Sequence, residues 1–374
     1  MILPVLMLLQ SPADNIVITG KRLVEAQAVC ARGGCTVRRD VQASIALAEA
    51  EFRTGNYKQA KHTLEGAISR NRKHAATDPK LVAALYEAYA TVSQHEGNQR
   101  NYRTAVANRV DTLRDNLPPD DPTVIAATPA LGDMWMELRN YRQATASYKS
   151  AERAALEAGN DKAAVIAGMK RSWAVAAGGD RRRALQMIDD MEQLPVDENP
   201  QYRLALRVLR LRIAARDADE RQMAELVKAI GRQQGEPPAL IWAPPFEEDA
   251  INAANANARK FEMVSAFTPS SSEIAGIQWA DVGFWIKADG RTKDPEMLRG
   301  SKIHPWLPLV LAQVRARRYA ATANSADDDG IYRIERVTKR TIYATPPGSV
   351  IRRRVWAPGF EVLDITDAPA APPE

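Results

Sequence analysis

The sequence predicts a mainly α chain, an array of helical hairpins wound into a superhelix and followed by a small α+β unit. Residues 47–67 (LAEAEFRTGNYKQAKHTLEGA) and 131–151 (LGDMWMELRNYRQATASYKSA) align without a gap at an offset of 84, twice 42. Helical periodicity stops at Pro237, Pro238, Pro244 and Pro245, which cannot continue a helix. Beyond them Val282, Phe284 and Ile286 alternate with Gly283, Trp285 and Lys287 ahead of Asp289-Gly290, the pattern of a strand and hairpin turn.

The chain has 374 residues, 45% hydrophobic and 26% charged, the composition of globular protein. Residues 1–13 read as a signal segment: 1–9 are apolar, short of the roughly 20 residues a membrane helix needs, and small Ser11 and Ala13 follow. No Lys or Arg precedes the run. In the N-terminal segment 14–40, Cys30 and Cys35 are the only cysteines and flank Gly33-Gly34. The glycines let the chain reverse, so an oxidising compartment would join the pair; two free thiols are the alternative.

The array is expected over 41–235. Between the two matched copies lies LYEAYATVSQHEGNQRNYRTA, with Tyr86, Ala90 and Gly97, then Tyr102 and Ala105 after a three-residue insertion. Gly179 and Ala184 mark a fourth copy and Ala224 a fifth. Small Ala48, Ala60, Gly132 and Ala144 sit where helices approach closely. Pattern and period resemble the tetratricopeptide repeat in a longer-helix form, although Arg139 stands where a turn glycine is expected. The resemblance implies a concave wall of first helices that holds extended peptides or partner helices. Carried over, that wall comprises Glu49, Phe52, Arg53, Glu87, Gln94, His95, Asp133, Met136, Glu137, Met169 and Trp173. Phe52, Met136 and Trp173 read as helix packing ahead of a ligand wall, and the charged members fit plain solvation equally well.

Residues 236–261 read as a proline-rich linker and a weak helix, 262–366 as the α+β unit and 367–374 as a disordered tail. Within the unit a strand, the Asp289-Gly290-Arg291 turn, a return strand broken by Pro295, a helix ending Arg317-Arg318-Tyr319 and a further strand follow one another. This order, with Phe284 and Leu298, resembles the C-terminal domain of TonB-type energy transducers. The resemblance implies docking by pairing with an extended peptide at a sheet edge. Because Pro295 spoils its own strand as a template, the strand near Tyr332 and Ile334 is the expected edge.

Between Arg299 and Arg354, twelve basic residues face four acidic ones, a local +8 in a chain of +5. These cations read as a solvated surface interleaved with strand residues; they lack the stacking aromatics of an RNA-binding sheet. His62, His74, His95 and His304 are scattered without metal-ligand spacing, and no nucleophile elbow, Walker loop or dinucleotide fingerprint occurs. No cofactor is expected. The reading is a non-enzymatic, periplasmic scaffold that binds a protein or peptide through its repeats and docks a second time through its C-terminal unit. The alternative is a component of TonB-type transport acting on outer-membrane transporters.

Overall fold

The computed structural model describes residues 16–193, 200–214, 238–244, 277–302, 305–320, 330–344, 350, 353–356 and 359–366. The expectations for 1–13, Ala224, the weak helix before Phe261, His304 and the tail 367–374 lie outside them. Among the described residues, no helix is long and apolar enough to cross a membrane.

The expected array is present. Helix α1 (Ile16–Ala31) turns through Gly33 into α2 (Val37–Arg53), and Cys30 and Cys35 are disulfide-bonded across that turn with Cα atoms 4.8 Å apart. Antiparallel pairs follow: α2 with α3 (Tyr57–Asn71), α4 (Pro79–Glu96) with α5 (Gln99–Asn116), and α6 (Pro122–Ala127) plus α7 (Ala130–Glu137) with α8 (Tyr141–Glu157). Helix α9 (Asp161–Ala177) pairs with α10 (Arg181–Glu192), and α11 (Pro200–Ala214) packs on both. Pro129, which cannot sit in a helix interior, separates α6 from α7.

One backbone device repeats at each tip. The first helix of a pair ends on a left-handed residue, Gly55 (φ 80°), Gly97 (79°), Arg139 (55°) and Gly179 (105°), so the tips lie 42, 42 and 40 residues apart. An Asn or Asp follows each, and the side chains of Asn98, Asn140 and Asp180 accept a backbone N–H three residues on, capping the second helix. Arg139 therefore adopts the conformation its glycine counterparts adopt freely.

The even pitch corrects the sequence alignment at one point, since no three-residue insertion follows the second tip, Gly97. Counted from the caps, Tyr102 occupies the place held by Ala60, Ala144 and Ala184, each fully buried. Close packing explains the other small positions: a Cβ on Gly132 would lie 2.3 Å from the Tyr148 ring. Phe52, Leu64 and Leu85 fill the core of the first two pairs, each worth about 1.5–3 kcal/mol buried.

The C-terminal unit begins inside the predicted linker. Strand β1 (Leu240–Trp242) pairs with β4 (Arg318–Tyr319), so that part of 236–261 belongs to the unit it precedes. The main sheet is antiparallel, ordered β3 (Thr292–Gly300), β2 (Ile277–Ile286), β5 (Ile331–Ala344), β6 (Arg353–Trp356), with β7 (Glu361–Asp364) on β5 beside β6. Helix α12 (Leu307–Ala316) and Trp306 cover one face over Ala280, Val282, Phe284 and Ile286. On the other face, Trp279 and Asp281 lie on the side of the helical array.

This order corrects the expected docking edge. Strand β5 is paired with β2 along 331–340 on one side and with β7 and β6 on the other. Among the described residues β3 ends the sheet on one side and β6, with β7 beside it, on the other; on β3, Asp294 (φ 48°) and Pro295 interrupt the ladder with register shifts. The solvated reading of the basic window is corrected too: Arg336, Lys339 and Arg340 on β5 are 0%, 1% and 9% exposed.

Candidate functional site

The chemistry gathers along the seam where the sheet meets the helix tips. Arg336 donates from Nη1 to Phe52 O (2.8 Å) and from Nη2 to Arg53 O (2.7 Å), closing carbonyls at the end of α2. Its Nε and Nη2 also grip both oxygens of Asp281 at 2.6 and 2.9 Å, while its guanidinium lies 3.8 Å from the Trp279 ring centroid. A planar, five-donor fork suits this position, which a lysine could not satisfy. Four residues along the same face, Arg340 Nη1 donates to Gln94 O at 2.6 Å and pairs with Glu361 at 2.5 Å. One strand thus places a cation at the carboxyl ends of α2 and α4, where the helix dipoles are negative.

Between these two arginines lies His95, 3% exposed, its Nδ1 3.0 Å from Thr338 Oγ1 and its ring edge-on to Phe52. Burial, then Arg340 and Arg336, holds its pKa down at about 3, so the imidazole is neutral. Gly55 completes the seam: a Cβ there would stand 2.5 Å from Trp279 Nε1.

Beyond Arg340 the seam opens into a notch at the end of α7. Asp133 accepts from Tyr148 Oη and from Lys170 Nζ, all at 2.7 Å. Glu361 accepts from Gln94 Nε2 at 2.9 Å besides its pair with Arg340. Glu137, in the last turn of α7, is exposed and has no ion pair among the described residues. Its crowded surroundings, then Glu361, push its pKa up to about 7, against the pull of Arg340.

Of the residues expected from sequence, the seam unites Phe52, Arg53 and Gln94, through their carbonyls, with His95. Glu49 pairs with Arg53, and Glu87 with Arg109 at 3.1 Å. Met136 is half-buried against Ala144, Tyr148 and Ala174. Trp173, 37% exposed on α9, lies under Arg212 at 5.0 Å and apart from the seam. Tyr332 leans on Trp285 (4.9 Å) on the sheet's uncovered half, and the Ile334 backbone is bonded to Ile365 and Thr366. Sequence reading did not single out Arg336, Arg340, Asp281 or Glu361, and took Tyr102 only as a repeat marker. The one signal available was Tyr102, a tyrosine at a position that three sibling hairpins give to alanine.

No protein-family model matches the chain, and no curated protein matches it. Among solved structures it is similar to TPR-like repeats of a kinesin light chain from Podosopora anserina, at 15% identity over 51% of this chain and 92% of that one (TM-score 0.39). It is also similar to BtubC from P. vanneervenii, at 15% identity over 59% and 93% (TM-score 0.43). A third is the Rap conjugation regulator of plasmid pLS20 in complex with the Phr* peptide, at 12% identity over 63% and 62% (TM-score 0.36). Values this low assign no family.

Proposed function

We propose that this chain is a non-enzymatic scaffold that holds an extended segment of a protein partner along its row of first helices, beside the docked C-terminal sheet. The observation that carries the reading is the row's open stretch, where Glu137, Ile166 and Trp173 are exposed just past the point at which the sheet closes over α2 and α4. Photo-crosslinking in cells from benzoylphenylalanine placed at Met136 or Met169 tests it. A discrete protein adduct from either site is expected; adducts only from a control position on α10 would overturn it.

The scaffold is proposed to work in an oxidising envelope compartment, supported by the Cys30–Cys35 pair and by the apolar residues 1–9. Free-thiol labelling of fractionated cells checks this, because a cytosolic chain with two reactive cysteines would sink it. TonB-type docking is the second reading, favoured by the order of strand, hairpin, helix and strand. If it uses β3, an outer strand, Pro295→Val, which restores a donor there, should strengthen strand addition.

A further inference from the structure

We propose that the notch between α7 and the C-terminal sheet receives the cationic side chain, arginine or lysine, of the segment held on the first-helix row. This rests on the scaffold reading and adds what the partner must present.

Three groups of the notch are acids, and two are already matched: Asp133 by Lys170, Glu361 by Arg340. Glu137 is the third. It stands in the last turn of a helix, where the dipole disfavours negative charge, and is exposed with no ion pair among the described residues. Its nearest described polar partner is the neutral Gln94 amide, which is also bonded to Glu361. Its crowded surroundings and then the Glu361 charge raise its pKa, and an arriving cation would oppose that rise.

A second, independent feature points into the same notch. Tyr102 is 8% exposed, and its hydroxyl has no hydrogen bond among the described residues. Its ring packs with Ala90, Ala105, Val106 and Met134, while the charges acting on its hydroxyl are those of Glu137, Asp133, Glu361 and Arg340. If this position served packing alone, phenylalanine would fill it without a polar atom, and the sibling hairpins use alanine. The ring is buried while the hydroxyl, without a partner among the described residues, is left available to an arriving group. A carboxylate and a hydroxyl oxygen converging on one opening provide two acceptors for a guanidinium or ammonium group. With Asp133 and Glu361 matched by Lys170 and Arg340, the unmatched Glu137 leaves the cluster net negative when ionised, which disfavours an anion.

The test uses the full chain and three pools of fluorescein-labelled, end-blocked heptapeptides with random flanks and a fixed central arginine, citrulline or glutamate, read by fluorescence anisotropy at low salt. Citrulline keeps the shape of arginine without its charge. At pH 8 the arginine pool should bind at least about tenfold tighter than either other pool, and this advantage should shrink below about threefold at pH 5.5, where Glu137 is protonated. The same loss is expected at pH 8 in Glu137→Gln, an exposed substitution that leaves the fold intact, and Tyr102→Phe should weaken arginine binding about threefold. Equal binding of the arginine and citrulline pools, unaffected by Glu137→Gln, overturns the cation site while leaving a peptide-holding array standing. Binding by none of the pools overturns both.

Discussion

Arg336 shows why a buried charge can be indispensable without being a source of net stability. Its removal leaves Asp281, 1% exposed, with Arg299 as its remaining partner at 2.6 Å and strips two carbonyls of their donor. Arg336→Ala is expected to cost about 3–5 kcal/mol, seen as a lower urea midpoint. His95 should be silent: with its pKa near 3, NMR titration between pH 5 and 8 should leave its ring shifts unchanged, and a midpoint near 6.5 would disprove the buried placement. Glu137 behaves oppositely. Its folded pKa, about 7, exceeds the unfolded carboxyl value, so its protonated form favours the folded state. Stability should be full below about pH 4.3 and fall as pH rises toward 7, by about 1 kcal/mol at most because the group meets solvent. Melting curves of Glu137→Gln should lack that component.

At the scale of elements, the four helix tips form an internal comparison. Arg139 has a left-handed backbone with a side chain attached, so Arg139→Gly should stabilise the chain by about 1 kcal/mol in denaturant melts. Gly179→Ala meets empty space and pays only the conformational cost, about 1 kcal/mol, whereas Gly55→Ala drives its methyl into Trp279 and should cost clearly more. The hairpins were legible because their small residues recur at one pitch, and strand β2 because apolar residues alternate ahead of Asp289-Gly290. The role of β5 was not. Arg336 binds carbonyls more than 280 residues away in sequence, and no local pattern distinguishes an arginine that caps a distant helix from one that faces water. The notch escaped for the same reason, since its groups come from α4, α5, α7, α8, α9, β5 and β7.

At the scale of the molecule, array and sheet share one interior: Ile277, Trp279 and Leu363 of the sheet pack on the core that holds Phe52 and Leu85. Residues 16–193 and the C-terminal sheet should therefore melt in one calorimetric transition, and Arg336→Ala should split it in two. The spacing of the two arginines has a mechanical meaning. Four residues of extended chain span about 13 Å, and β5 lays that fixed length across the ends of α2 and α4, so the gap between the first two hairpins is set by a strut that neither hairpin contains. A superhelix made only of stacked pairs bends at every junction like a spring. Here one junction is clamped, so strain from a pulled partner would pass to the next one, between α4 and α7, where Glu137 stands.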